Sequence, residues 1–213
     1  MAQIFVSHSQ HDLDYVSLFA KAGAGTKVQM KFEEIEKIAG NSTSSDVIKV
    51  DIEQSKCIFV VLSRRVQDYP HTRDWVVWES GVASNRDIWI FEPFPEYGSI
   101  SVVIPRLLHY VVFNTIDAHL AYIRRIIESY DDSHVLGALA TGAGAGAAIA
   151  SGAGAVVGAI ASLILSDRSK QRPMGLQIQC GMCHSTYHIH LPEGMMIWRC
   201  PICNTTITMP GVR

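Results

Sequence analysis

The chain has little charge surplus and few cysteines, and its first residues do not read as a secretory leader; each lack sets an expectation about the class of protein. Its 213 residues carry 18 Lys and Arg against 20 Asp and Glu, a formal net charge of −2, so bulk charge does not make it a polyanion binder. The amino terminus, Met1-Ala2-Gln3-Ile4-Phe5-Val6-Ser7-His8, turns polar at once, without a basic region, long apolar core and small-residue cleavage site. A cytosolic start is the expectation. Of five cysteines, four form the pairs Cys180-x-x-Cys183 and Cys200-x-x-Cys203, and Cys57 stands alone in an apolar run. That is metal-ligand usage in a reducing compartment rather than a disulfide framework. From Pro173 onward the only basic residues are Arg199 and Arg213, which argues against nucleic acid as a partner.

What is present divides the chain by composition. Up to about Asp132, short β-branched or aromatic runs (Ile4 to Val6, Val28 to Phe32, Cys57 to Leu62, Ile88 to Phe91) alternate with helical patterns (Leu13 to Ala22, Val47 to Gln54, Trp75 to Ala83). This rhythm predicts an α/β fold with a parallel sheet covered on both faces. Leu120, Ile123, Ile126 and Ile127 have the spacing of an amphipathic helix that closes the unit over Asp117 to Tyr130. Expected boundaries are 1–133 for this domain, 134–166 for a Gly/Ala-rich apolar helical segment, 167–177 for a linker and 178–210 for a small β zinc ribbon. Ligands of parallel sheets sit beyond the carboxyl ends of the strands. Here those ends carry Ser7-His8-Ser9, Glu33-Glu34 and Ser63-Arg64.

Three segments in register carry a family resemblance. Ile4-Phe5-Val6-Ser7-His8-Ser9-Gln10-His11-Asp12 resembles the first strand and loop of a Toll/interleukin-1 receptor (TIR) domain, and Phe32-Glu33-Glu34-Ile35-Glu36-Lys37-Ile38-Ala39-Gly40 its second strand and following loop. Asp74-Trp75-Val76-Val77-Trp78-Glu79 resembles the helix that holds the catalytic glutamate in NAD-cleaving members. The resemblance spans roughly the first 130 residues and implies a flavodoxin-like sheet, with either NAD+ cleavage or scaffolding through TIR–TIR contacts. It implies Glu79 as the catalytic carboxylate, with Ser7, His8, Glu34 and Trp75 as substrate-binding residues. It also implies self-association, a site completed by a neighbouring protomer, and a place in defence signalling. Two departures stand out: Gly40-Asn41-Ser42-Thr43-Ser44-Ser45 has no aromatic to stack on nicotinamide, and Ser9 and Gln10 occupy the place where some members carry an arginine.

The chemistry of NAD+ cleavage explains why one carboxylate suffices. Breaking the nicotinamide–ribose bond builds positive charge on the anomeric carbon, and a carboxylate against the ribose stabilises that charge while nicotinamide leaves as a neutral ring. Trp75, four residues before Glu79, shares its helix face and can wall the site. Water as nucleophile gives ADP-ribose and the molecule's own adenine gives a cyclic product; no residue decides between them. A bland reading has Trp75, Val76, Trp78 and Val82 as the buried part of an ordinary helix and Glu79 in solvent.

Val135 to Leu165 holds no charged residue and places Gly142 and Gly146, and Gly154 and Gly158, at small-xxx-small spacing. So long an uncharged run reads as a membrane span, a re-entrant hairpin or a tightly packed helix in a soluble oligomer. The expectation is membrane association with the TIR-like part facing the cytoplasm, and self-assembly through this segment. An effector acting directly on a membrane through it is a further reading.

The two Cys-x-x-Cys pairs, sixteen residues apart from His184 to Arg199, match a four-thiolate zinc ribbon. Cys180, Cys183, Cys200 and Cys203 leave no open coordination position, so the Zn2+ is structural; iron in the same cage is the competitor. Thr186 to Leu191, Met196 to Arg199 and Thr205 to Met209 read as its strands, and His184, His188 and His190 as strand or surface residues. The sparse basic charge makes a protein contact or structural support the expected role of the ribbon.

Overall fold

The computed structural model describes residues 1–34, 45–68, 86–94, 109–131, 173 and 175–208. The apolar run at the amino terminus forms β1 (Ala2–His8), which enters α1 (Leu13–Gly23) after the Ser9-to-Asp12 turn. Leu18, Phe19 and Ala22, one stripe of α1, are buried. The helix ends at Ala24, and Gly25 at φ 76° takes the left-handed turn that returns the chain to β2 (Val28–Glu34). Next come α2 (Ser45–Gln54), β3 (Cys57–Val61), α3 (Arg64–Asp68), β4 (Asp87–Pro93), β5 (His109–Phe113) and α4 (Asp117–Glu128). The carboxyl-terminal part supplies β6 (Leu176–Gln179), β7 (Thr186–His190), β8 (Ile197–Arg199) and β9 (Thr206–Thr208).

Seven strands make one sheet in the order β2-β1-β3-β4-β5-β7-β6, and β8 and β9 pair separately. Neighbours from β2 to β7 run parallel, while β6 runs antiparallel to β7. The α/β expectation holds at this level. β3 and β5 are buried at every residue, which is why they read as unbroken apolar runs rather than alternating ones.

Two cores lie on the two faces of the sheet. On one, α1 and α4 cover Ile4, Val6, Phe59, Val61, Phe91, Val111 and Phe113. Phe19 sits at the centre of this cluster, 4.9 Å from Phe91 in an edge-on contact. On the other face, Ile48 and Ile52 of α2 and Val66 of α3 share a core with Phe5, Ile58, Val60, Ile88 and Ile90, which Tyr187, Trp198, Cys180 and Cys200 extend. The cysteine-bearing part therefore packs on the same face as α2. The amphipathic spacing of α4 is observed as expected: Ile123, Ile126 and Ile127 are buried and Leu120 is partly so.

Among the described residues no helix is long and apolar enough to cross a membrane. The Gly/Ala-rich segment 134–166, on which the membrane expectation rests, lies outside the described residues.

Candidate functional site

The four cysteines come together. Their sulfurs all lie within 4.8 Å of one another, with Cys180 Sγ 3.6 Å from Cys203 Sγ and Cys183 Sγ 3.8 Å from Cys200 Sγ. Four sulfurs held at ~2.3 Å from one tetrahedral ion stand ~3.8 Å apart. The cage thus has the dimensions of a metal site, and the thiols are free rather than bridged.

Two turns of matching geometry build it. In the first, the Cys180 amide donates to the Ser185 carbonyl and the His184 amide to the Cys180 carbonyl, at 3.0 and 2.9 Å. In the second, the Cys200 amide donates to Thr205 and the Asn204 amide to Cys200, both at 2.8 Å. His184 and Asn204 hold the equivalent left-handed position, φ 57° and 61°. Each turn offers one buried cysteine, Cys180 or Cys200, and one partly exposed, Cys183 or Cys203. Hydrogen bonding from Thr205 brings Cys203 down to about 6, and Ser185 lowers Cys183 in the same way. Burial pushes Cys200 up to about 12. A bound dication overcomes that burial penalty, because a coordinated thiol is held deprotonated. The donor set, all sulfur and closed, fits a structural ion such as zinc. No histidine belongs to the cluster among the described residues.

The second candidate site is the carboxyl end of the sheet. Register places Ser7 beside Glu33 on one side and Val60 on the other, and His8 beside Glu34. Ser7 and His8 are both buried. His8 donates from Nδ1 to the Ser9 carbonyl at 2.8 Å, and its ring meets Phe32 edge-on at 6.2 Å. Trp75, Glu79 and the Glu34 side chain lie outside the described residues.

Asp12 supplies a connection that the sequence pattern does not reveal. Rather than capping α1, its fully buried carboxylate accepts from the Ser9 amide at 3.1 Å and from the Ser63 hydroxyl at 2.9 Å. Arg65 stands 3.4 Å from the other carboxylate oxygen and also donates to the His11 carbonyl. Burial raises the Asp12 pKa, and the bonds from Ser63, Ser9 and Arg65 oppose that rise. The loops after β1 and β3 are thereby tied together. Glu92, at the carboxyl end of β4, is a further buried carboxylate there. Ser63 and Arg65 carried no signal beyond their place after a strand.

Comparison with known proteins adds little to this geometry. No family model matches the sequence, and no curated protein matches it. Among solved structures, the chain is similar to a Trypanosoma brucei CTPS glutaminase domain with bound acivicin, at a TM-score of 0.30 and 16% identity. That match covers 44% of this chain and 36% of the other, and a likeness this slight carries no argument about function.

Proposed function

We propose that the chain is a TIR-like NAD+-cleaving protein that releases nicotinamide beyond the carboxyl ends of β1, β2 and β3, with Glu79 as the catalytic carboxylate. The observation that carries this reading is the strand order of the α/β unit, β2-β1-β3-β4-β5, the order of flavodoxin-like sheets. Within that order, the two strand ends that carry the resemblance lie side by side, Ser7-His8 against Glu33-Glu34. Glu79 holds the ribose and stabilises the cationic anomeric carbon, Trp75 walls the nicotinamide, and Ser7, His8 and Glu34 shape the floor. Asp12 acts on the loop, not on substrate: by joining Ser9 to Ser63 it fixes the backbone from which the site is built.

In this reading activity depends on assembly, through the TIR-like unit and through the Gly/Ala-rich segment at a membrane, in defence or stress signalling. The zinc ribbon is structural, and the residues Cys180, Cys183, Cys200 and Cys203 hold its ion. The test is nicotinamide release from NAD+ by clustered, zinc-loaded protein, compared with Glu79→Gln. Release lost in a folded variant supports the enzyme; no release from the parent replaces it with a non-enzymatic scaffold that signals by self-association.

A further inference from the structure

A parallel sheet opens a crevice where the chain leaves two neighbouring strand ends toward opposite faces, because the departing segments diverge. Two such places have both exits among the described residues. After β1 the chain goes to α1 on one face, and after β3 to α3 on the other. There Asp12, Ser63 and Arg65 bridge the gap. After β5 the chain goes to α4 on the α1 face, whereas after the adjacent β7 it passes through Leu191 and Met195 to Trp198 and Cys200 on the opposite face. At this second place a cleft of about 520 Å³ opens between the first turns of α4 and the exit of β7. Small-molecule sites span roughly 300–1,000 Å³, so the space suits one small ligand.

The loops after β5 and β7 form part of the cleft, and side chains of α4 and the end of β7 form the rest. Tyr122 of α4 stacks on His190 of β7 at 3.8 Å and 12°, and its hydroxyl donates to the Pro173 carbonyl at 2.5 Å, so this ring pair is fixed in place. His119 stands edge-on to the same His190, ring centroids 5.6 Å apart. Its Nδ1 lies 2.9 Å from the Asn114 amide nitrogen and 2.7 Å from Asn114 Oδ1. Burial lowers both imidazoles, His190 to about 4 with His119 adding to the effect, so both rings are neutral near pH 7. A neutral imidazole has one donor and one acceptor nitrogen; Asn114 engages His119 Nδ1, so Nε2 is the nitrogen His119 has left for a ligand. Ala118, Ala121 and Leu191 give the cleft an aliphatic wall, and Arg125 and Glu193 are its charged groups.

Neutral donor–acceptor groups beside small aliphatic side chains suit the edge of a flat heterocycle, and a guanidinium suits a phosphate. The geometry points to a mononucleotide-binding site at the β5–β7 crevice, with Asn114, His119 and His190 reading the base and Arg125 the phosphate. It is separate from the β1–β3 strand ends and stands whether or not NAD+ is cleaved there. Because the ligand bridges α4 and β7, its binding reinforces the seam between the α/β unit and the metal-holding turns.

The experiment is calorimetric titration of the full, zinc-loaded chain with AMP and with adenosine. The parent is expected to bind both, AMP more tightly. Arg125→Gln, an exposed substitution, is expected to weaken AMP about tenfold and leave adenosine unchanged, the loss of one charge-assisted contact. Ala121→Trp fills the cleft from an exposed position and is expected to abolish both; His119→Gln, checked for folding by circular dichroism, is expected to weaken both. Absence of binding to the folded parent at millimolar AMP overturns the assignment. So does AMP binding that survives Ala121→Trp, which places it elsewhere on the chain, and so does an equal loss of AMP and adenosine in Arg125→Gln.

Discussion

His109 and His188 stand opposite one another on β5 and β7 and stack with ring centroids 5.5 Å apart. Trp89, in register with His109 on β4, continues the stack at 4.0 Å. Three flat side chains thus run across the sheet from its middle to the hairpin that carries the first cysteine turn. Ladder pairing and ring contact join the first cysteine turn to the edge of the sheet, so a metal bound there would be linked to folding of that edge.

Removal of the metal should therefore loosen more than the ribbon. One zinc per chain is expected by elemental analysis, and Cys200→Ser should reduce that content sharply. Chelation should lower the thermal midpoint and weaken the near-ultraviolet circular dichroism of the buried Trp89 and Trp198. An apo protein with an unchanged midpoint would separate the metal site from the sheet.

Acid should weaken the seam through His190. Its folded pKa, about 4, lies below the unfolded value of ~6.5, so the unfolded chain takes up the proton first. The contribution is fully present above pH ~6.5 and is lost as pH falls toward about 4; His119 shifts in the same direction. Asp12 runs the other way, because its raised pKa favours the folded state in acid. Urea midpoints measured across this window should fall less steeply in His190→Gln than in the parent, and equal slopes would remove His190 from the account.

Asp12→Ala leaves the Ser9 amide and the Ser63 hydroxyl without their buried acceptor. The expected cost is about 1–3 kcal/mol in urea unfolding. Asp12→Asn keeps an acceptor oxygen and should cost less.

Gly175→Ala tests how closely β6 enters along β7. A Cβ at Gly175 would run into the backbone carbonyl of Ile189, which cannot swing aside as a side chain end can. Overpacking of this kind costs about 1–3 kcal/mol. The variant should show a lower thermal midpoint and release zinc to a competing chelator faster than the parent.

Much of this was legible because it is local. Apolar runs marked β1, β2, β3 and β4, the spacing of Ile123, Ile126 and Ile127 marked α4, and the two Cys-x-x-Cys pairs marked the metal cage. β5 is absent from the expected strands: His109-Tyr110-Val111-Val112-Phe113 follows Leu107-Leu108 with no turn residue to mark its start. β6 was missed because Leu176-Gln177-Ile178-Gln179 holds only two apolar residues. The docking of β7 on β5, and of Asp12 on Ser63, joins residues far apart in sequence, and no short-range periodicity records such a choice. By sequence His188 and His190 are strand or surface residues; their partners across the seam, His109, His119 and Tyr122, give them a further part.

Chromatography that follows nicotinamide and NAD+ together, with clustered, zinc-loaded protein, tests the proposed reaction itself. One nicotinamide should form for each NAD+ lost, with no release above background from a Glu79→Gln variant that has the parent's circular dichroism and zinc content. Undiminished release by that variant, or none from the parent, would contradict it.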